Sequence, residues 1–191
     1  MSIYHTTYAQ KSDEEIQKRI EEKERELVTI FKETSFQTNN NKIKIAVMGC
    51  GDKRMVEKQK MLFKKLLRQN IEMYTYDITV EHLKNESNIF QHDCTQTLPH
   101  TPYDITYAHV LLKFVETDKQ FLVLKNSFDV LNPGGIAIHI LDFDEIKSDT
   151  IKLPDGYWSV PLKSHKEKLE EVKIHYMEIK LNYGIALVLL K

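Results

Sequence analysis

The sequence is poor in cysteine and in long apolar runs, and each shortage excludes a class of protein. The chain has 191 residues, with two cysteines and six glycines. Two thiols cannot form a disulfide framework, and they are typical of a reducing compartment. The longest apolar run, residues 185–190, is too short to cross a bilayer, and the N-terminus has no apolar segment typical of a signal peptide. We therefore expect a cytoplasmic protein with no membrane partner.

An excess of charge of one sign is also missing. The formal net charge is −1, which gives no indication of a nucleic-acid partner. Hydrophobic residues make up 41% and charged residues 29%, enough to bury a core and remain soluble. The length predicts one domain over 1–191, with an N-terminal arm and helix at 1–41 and a core at 42–191.

The N-terminal segment predicts a flexible arm followed by a helix. Residues 1–11 form the arm, and its Tyr4 and Tyr8 are candidates for a lid over a site. Ser12 and Glu15 have the spacing of a capping box. The apolar stripe that follows lapses at Lys23 and Glu24, which favours a helix on the surface of the body. The stripe consists of Ile16, Ile20, Leu27, Ile30 and Phe31.

The rest of the chain alternates between strand and helix patterns, which predicts a three-layer α/β/α sandwich around a mostly parallel, seven-stranded sheet. The link at Tyr183 and Gly184 is so short that the last two strands must be an antiparallel hairpin. A phase shift in alternation between Tyr176 and Met177 predicts a bulge. The motif NPGG at 132–135 is expected to end a helix. Strands are predicted at 43–48, 71–77, 88–93, 103–110, 135–142, 172–182 and 185–190, and helices at about 55–69, 80–86, 121–131 and 162–171.

Small and acidic residues follow the first strands of this series. In open α/β sheets, ligands bind beyond the carboxyl ends of the strands. Gly49, Cys50 and Gly51 follow the first strand, and a glycine turn that opens a helix lets an anionic ligand approach the backbone. Asp77 ends the second strand, where a carboxylate can accept hydrogen bonds from ribose hydroxyls. These positions predict a nucleoside-binding site.

The third and fourth strands end in further candidates. Asp93 and Cys94 follow the third strand, and Asp93 is interpreted either as a ligand contact or as a turn residue. Ala108 and His109 end the fourth strand. His109 is either a general base or a structural histidine.

Five segments in this order resemble the motifs of class I S-adenosylmethionine-dependent methyltransferases. They are KIAVMGCGD, YTYD, FQHDC, YDITYAHVLLKF and LNPGGIAIHIL, and the resemblance covers about residues 43–190. It implies S-adenosylmethionine as the cofactor, with the ribose at Asp77 and the adenine at Asp93. The cofactor contacts that it implies are Gly49, Cys50, Gly51, Asp77, Ile78, Asp93, Cys94, Ala108 and His109.

The chain departs from the family pattern at two positions that normally help to seat the methionine end of the cofactor. Val47 stands where an acidic residue is common, and Lys53 stands where a third glycine is common. The Asp/Asn-Pro-Pro-aromatic signature of nucleobase amino methylation is missing after the fourth strand. The expected acceptor is therefore a small molecule or a protein, and a second subunit of a homodimer could complete its pocket.

Other functions remain open. The changes at Val47 and Lys53 also suit a binding module that holds S-adenosylmethionine or S-adenosylhomocysteine without catalysis, or a partner subunit with a collapsed pocket. A nicotinamide-dependent oxidoreductase would need a third glycine where Arg54 stands. No metal is expected, because strand alternation points His139 and Asp142 to opposite faces.

Overall fold

The computed structural model of the protein describes residues 3–37 and 40–191. The described part contains seven strands in one sheet, with helices on both sides. The helices are α1 (Ile3–Ala9), α2 (Asp13–Thr34), α3 (Lys53–Leu67), α4 (Thr117–Asp129) and α5 (Leu162–Glu171), with short 3-10 helices at Glu81–Leu83 and Leu112–Phe114. The strands are β1 (Lys42–Met48), β2 (Asn70–Asp77), β3 (Ile89–Gln91), β4 (Tyr103–His109), β5 (Leu131–Asp142), β6 (His175–Lys180) and β7 (Gly184–Leu190).

The strand order places a cleft between β1 and β4. The order is β3-β2-β1-β4-β5-β7-β6, so the chain runs outward from β1 in one direction and then returns to β4 on its other side. β1 pairs in parallel with both β2 and β4, whereas β7 is antiparallel to β5 and β6. The predicted seven-stranded sheet is confirmed. Reversal of strand order between β1 and β4 opens a crevice at their carboxyl ends, where ligands bind in such sheets.

Two apolar clusters cover the two faces of the sheet. Alternate residues of β1 and β4, such as Ile45 and Ile105, pack against α2 and α3. The intervening residues, such as Ala46 and Ala108, pack against α4 and α5. Strand side chains alternate between the two faces, so one apolar strand contributes to both clusters. This burial fixes the predicted three layers.

The structure corrects the prediction of a flexible N-terminal arm. Residues 3–9 form helix α1, whereas a flexible arm was predicted over 1–11. The capping box is present, since Ser12 Oγ accepts from Glu15 N and Glu15 Oε2 accepts from Ser12 N. Asp13 begins α2 as expected. The link between the two helices is therefore short and fixed at both ends.

Two features of the later strands were also predicted wrongly. The motif NPGG does not precede β5 but lies inside it, where Asn132 Nδ2 donates to Asp104 Oδ1 at 2.9 Å and the register shifts between Tyr103 and Ile105. The bulge expected between Tyr176 and Met177 is not there, because β6 and β7 pair in continuous register. None of the described helices is long and apolar enough to span a membrane.

Candidate functional site

A cavity of about 540 Å³ opens at the carboxyl ends of β1, β2 and β4. This volume lies within the range of small-molecule and cofactor sites. Eight of the nine predicted cofactor contacts line it, namely Gly49, Cys50, Gly51, Asp77, Ile78, Asp93, Cys94 and His109. Ala108 does not line the cavity, because its side chain points into the apolar cluster beneath α4 and is 1% exposed. The strand ends that the sequence singled out therefore converge on one space.

The glycine turn and Asp77 form one hydrogen-bonded unit. Asp77 is buried, its Oδ2 accepts from Cys50 N at 2.9 Å, and its Oδ1 accepts from Thr79 N at 3.0 Å. Gly49 has a φ of +80°, and a Cβ built on it would lie 3.1 Å from Leu111 Cδ1. Each carboxylate oxygen retains a second acceptor position. Asp77 can therefore hold the turn and still accept hydrogen bonds from a ligand.

Asp93 forms a turn and also lines the cavity, so the interpretation as a ligand contact stays a prediction. Its Oδ1 accepts from Thr95 N at 2.9 Å and from Thr95 Oγ1 at 2.8 Å, which makes it a turn residue. Its side chain is nevertheless exposed and lines the cavity. Ile78 also lines the cavity and is 59% exposed. An exposed aliphatic surface beside acceptor groups is suited to one face of a purine ring.

The thiols of the site are protonated. Burial raises the pKa values of Cys50 and Cys94 to about 12. The thiolate is the nucleophilic form of cysteine. Neither residue is therefore equipped for nucleophilic catalysis at neutral pH.

His109 is held by a carboxylate from α2. Its Nε2 lies 3.1 Å from Glu26 Oε2. A carboxylate accepts, so Nε2 carries the proton and Nδ1 is left as the basic nitrogen. Burial, and then the nearby Lys23 cation, lower the pKa of His109. The imidazole is thus neutral near pH 7, the form that can accept a proton.

The N-terminal helices complete the cavity, and the sequence interpretation missed two of their lining residues, His5 and Lys23. His5 and Tyr8 of α1 and Lys23 of α2 line it. Tyr8 therefore lies where a lid residue was considered, whereas the Tyr4 side chain lies outside the described residues. Lys23 continues the buried face of α2 between Ile20 and Leu27. The lapse in the apolar stripe was thus the signal of a polar residue on the inner face.

Among the described residues, three side chains lie close enough together to be considered as metal ligands. One ligand atom each from His5, Asp77 and His82 lies within 4.8 Å of the others. The two imidazoles are stacked, with centroids 3.9 Å apart and planes 22° apart. His82 Nε2 donates to Cys50 O at 2.6 Å, which leaves Nδ1 with the free lone pair. Lone pairs in nearly parallel ring planes do not converge on one ion. The stacked rings instead join α1 to the 3-10 helix at Glu81–Leu83.

The comparisons with solved structures establish the fold. A methyltransferase from Clostridium acetobutylicum described as S-adenosylmethionine-dependent superposes with a TM-score of 0.66 at 9% identity, over 97% of this chain and 98% of that one. A sugar N-methyltransferase from Streptoalloteichus gives 0.65 at 9% identity, over 100% and 93%. A glycopeptide N-methyltransferase bound to S-adenosylhomocysteine gives 0.59 at 8% identity, over 85% and 89%. No protein-family model and no curated protein sequence matches the chain. The chain has the fold of class I S-adenosylmethionine-dependent methyltransferases.

Proposed function

We propose that the protein transfers a methyl group from S-adenosylmethionine to a small-molecule or protein acceptor. The observation that carries this proposal is the position of Asp77, buried at the end of β2, bonded to the glycine turn and open to the same cavity as Asp93. A ribose between Asp77 and the turn would continue toward Asp93 and Ile78 as an adenine. The fold supports the same assignment, since its relatives named above are methyltransferases.

The cavity fits this cofactor in its shape as well as its polarity. The turn at Gly49 leaves no ordinary space for a β-carbon beside Leu111, so the backbone itself forms the wall. Polar acceptors lie at one end of the cavity, and a buried amide oxygen of Gln59 without a donor lies in its wall. A buried acceptor without a partner is costly in the free protein and is satisfied by a ligand that donates.

Methyl transfer asks little of the side chains. Bound S-adenosylmethionine supplies an electrophilic methyl carbon on a positively charged sulfur and leaves as a neutral thioether. The protein has to align the acceptor with that carbon and keep water out. An acceptor N–H or O–H also loses a proton, and the neutral His109, oriented by Glu26, is the side chain that we assign to accept it.

Calorimetry tests the cofactor assignment. S-adenosylhomocysteine is expected to bind at micromolar affinity, or about −8 kcal/mol. Asp77→Asn should weaken binding by roughly 1.5–3 kcal/mol, the scale of hydrogen bonds to a charged acceptor. Asp104→Asn is the matched control, because Asp104 is also buried and also accepts from a backbone amide, that of Lys44, at the opposite end of β4. Equal affinity in both variants, or no binding at millimolar ligand, would overturn the assignment.

A second candidate is a non-catalytic module that binds S-adenosylmethionine or S-adenosylhomocysteine. It is favoured by Val47 and Lys53, which replace the groups that commonly seat the methionine end. Turnover with labelled S-adenosylmethionine and pooled small-molecule and protein acceptors separates the two functions. Methylation that His109→Asn reduces without changing cofactor affinity supports the enzyme, and binding without transfer to any pool supports the module.

A further inference from the structure

A buried amine lines the cavity without a carboxylate in direct contact. Lys23 is 6% exposed, and its Nζ donates to Tyr107 Oη at 3.4 Å and lies 5.3 Å from the centre of that ring. Among the described residues, no carboxylate lies within 4.0 Å of Nζ, and Glu26, whose charge still raises the pKa of Lys23, makes its ion pair with His109. A buried charge without a counter-ion in direct contact is unfavourable, so this position is suited to an anion from outside the chain.

A second group in the same wall also lacks a partner. Gln59 is 4% exposed, lines the cavity, and its Oε1 accepts no hydrogen bond from the described residues. Gln59 therefore supplies an unused acceptor to the cavity that Lys23 also lines. The two helices α2 and α3 supply one group each, a donor and an acceptor, for a ligand that carries an anion and an N–H donor.

The register of the sheet relates this pair to the departure at Val47. Tyr107 of β4 is the direct neighbour of Val47 of β1, so the amine above Tyr107 lies close to the position where an acid is common in the family that the chain resembles. Val47 is buried in the apolar cluster on this face of the sheet, whereas Lys23 lines the cavity. The charged side chain near this position is therefore a cation, which can hold the anionic end of a zwitterionic ligand.

We propose that Lys23, Tyr107 and Gln59 form a subsite for an α-amino carboxylate. The Lys23 ammonium and the Tyr107 hydroxyl donate to the carboxylate, and Gln59 Oε1 accepts from the amino group beside it. One amine neutralises one negative charge, which fits a carboxylate better than a doubly charged phosphate. The carboxylate belongs either to the amino-acid end of the cofactor or to an amino-acid acceptor. The subsite rests on the proposed function, because it assumes a nucleoside in the rest of the cavity.

Two ligands that differ only at this end test the subsite by calorimetry. S-adenosylhomocysteine carries the amino carboxylate, and 5′-deoxy-5′-methylthioadenosine has the same nucleoside and thioether without it. Lys23→Met should weaken S-adenosylhomocysteine about tenfold or more and leave methylthioadenosine unchanged, and Gln59→Met should act in the same direction. Lys18→Met is the control, because Lys18 is an exposed lysine of the same helix.

The remaining measurements identify the molecule that carries the carboxylate. If Lys23→Met spares S-adenosylhomocysteine but abolishes binding of L-methionine to the protein saturated with it, the subsite belongs to an amino-acid acceptor. If Lys23→Met and Gln59→Met change neither measurement, the subsite does not exist. Failure of the parent protein to bind methylthioadenosine would instead overturn the proposed function, and the subsite with it.

Discussion

Gly49 is the residue at which backbone conformation and ligand approach coincide. Its φ of +80° lies in the left-handed region, which costs a non-glycine residue roughly 1–2 kcal/mol. Gly51 is not among the described glycines with positive φ. The conformational requirement of the turn is therefore at its first glycine. The second glycine lines the cavity beside it.

Gly49→Ala should abolish binding of S-adenosylhomocysteine, because it adds a β-carbon between the turn and Leu111. Gly134→Ala is the matched control, since Gly134 also has a φ of +80° and its β-carbon would have no atom within 4 Å. Both variants should lose about 1 kcal/mol of unfolding free energy from the backbone, as urea unfolding would measure. Loss of binding in both variants, in proportion to unfolding, would show that Gly49 is only a turn residue.

The buried ammonium of Lys23 should lower the unfolding free energy of the protein. Burial lowers its pKa from 10.5 to about 8. The protonated amine is therefore less favourable in the folded state than in the unfolded state. This cost is complete below pH 8 and disappears as pH rises toward 10.5.

Lys23→Met should accordingly raise the unfolding free energy at pH 7 by about 3 kcal/mol, since the pKa falls from 10.5 to about 8 and one pKa unit corresponds to about 1.4 kcal/mol. The gain should vanish at pH 10.5. Urea unfolding at the two pH values measures it, with Lys18→Met as the control. Destabilisation by Lys23→Met at pH 7 would mean that the amine has a structural partner in the folded protein.

At the scale of single residues, the cavity residues at strand ends were predictable from the sequence, whereas those on helices α2 and α3 were not. Asp77 and Asp93 follow apolar runs, so their position at the carboxyl edge follows from parallel pairing. Lys23 and Gln59 lie on charged helices, where a lysine or glutamine is ordinarily a solvent-facing residue. Only contact between α2, α3 and the sheet determines that these two polar side chains face inward.

At the scale of elements, the joint between α1 and α2 is fixed by one side chain to the turn between β1 and α3. Arg54 Nη1 donates to Lys11 O at 2.9 Å and to Asp13 Oδ1 at 2.8 Å, and its Nη2 donates to Asp52 Oδ2 at 2.6 Å. Asp52 in turn caps α3 through Arg54 N at 2.8 Å. Arg54 therefore joins the N-terminal helices, which line the cavity, to the turn that follows β1.

Arg54→Ala should loosen α1 while leaving the sheet intact. We expect faster hydrogen exchange over residues 5–12 and a roughly fivefold loss of affinity for S-adenosylhomocysteine, or about 1 kcal/mol. Lys65→Ala is the control, because the Lys65–Glu24 pair also links α3 to α2 but lies at the surface, where such pairs contribute little. Identical exchange in the two variants would show that Arg54 does not hold the joint.

The two segments that were predicted wrongly, α1 and NPGG, are both stabilised by tertiary contacts. Helix α1 was expected to be an arm because its seven residues show no apolar stripe, and it depends on contacts with Arg54 and the cavity. The NPGG segment contains strong turn residues, yet the Asn132–Asp104 hydrogen bond and the irregular register keep it within β5. Tertiary contacts override local preference in both cases.

At the scale of the whole molecule, apolar periodicity was sufficient to predict the three layers, but it did not predict which polar groups are buried between them. Two histidines lie on the α4 and α5 side of the sheet. His139 contacts Ser127 Oγ at 2.8 Å, and His165 contacts Gln120 Oε1 at 3.0 Å. Burial lowers the pKa of His139 to about 3 and that of His165 to about 4. Burial also raises the pKa of Glu145 to about 7.

These groups give stability a pH dependence of known sign. Between pH 4.5 and 6.5, the unfolded chain binds a proton at each of the two histidines that the folded protein does not bind. Over the same range, the folded protein keeps the Glu145 proton that the unfolded chain has lost. His5 and His109, whose pKa values are also lowered, add to the effect of the other two histidines. The unfolding free energy should therefore rise with pH by at least about 1.4 kcal/mol per unit.

Two variants should change this slope in opposite directions. Glu145→Gln removes the opposing carboxyl and keeps the acceptor for Asp142 N, so it should steepen the rise by about 1.4 kcal/mol per pH unit. His165→Gln removes one titrating histidine and should flatten it by the same amount. Urea unfolding at pH 5.0, 5.75 and 6.5 measures all three slopes above the range in which salt-bridged carboxylates such as Asp52 become protonated. Equal slopes in the parent and both variants would mean that these groups titrate alike in the folded and unfolded states, so that their burial does not govern the acid stability of the protein.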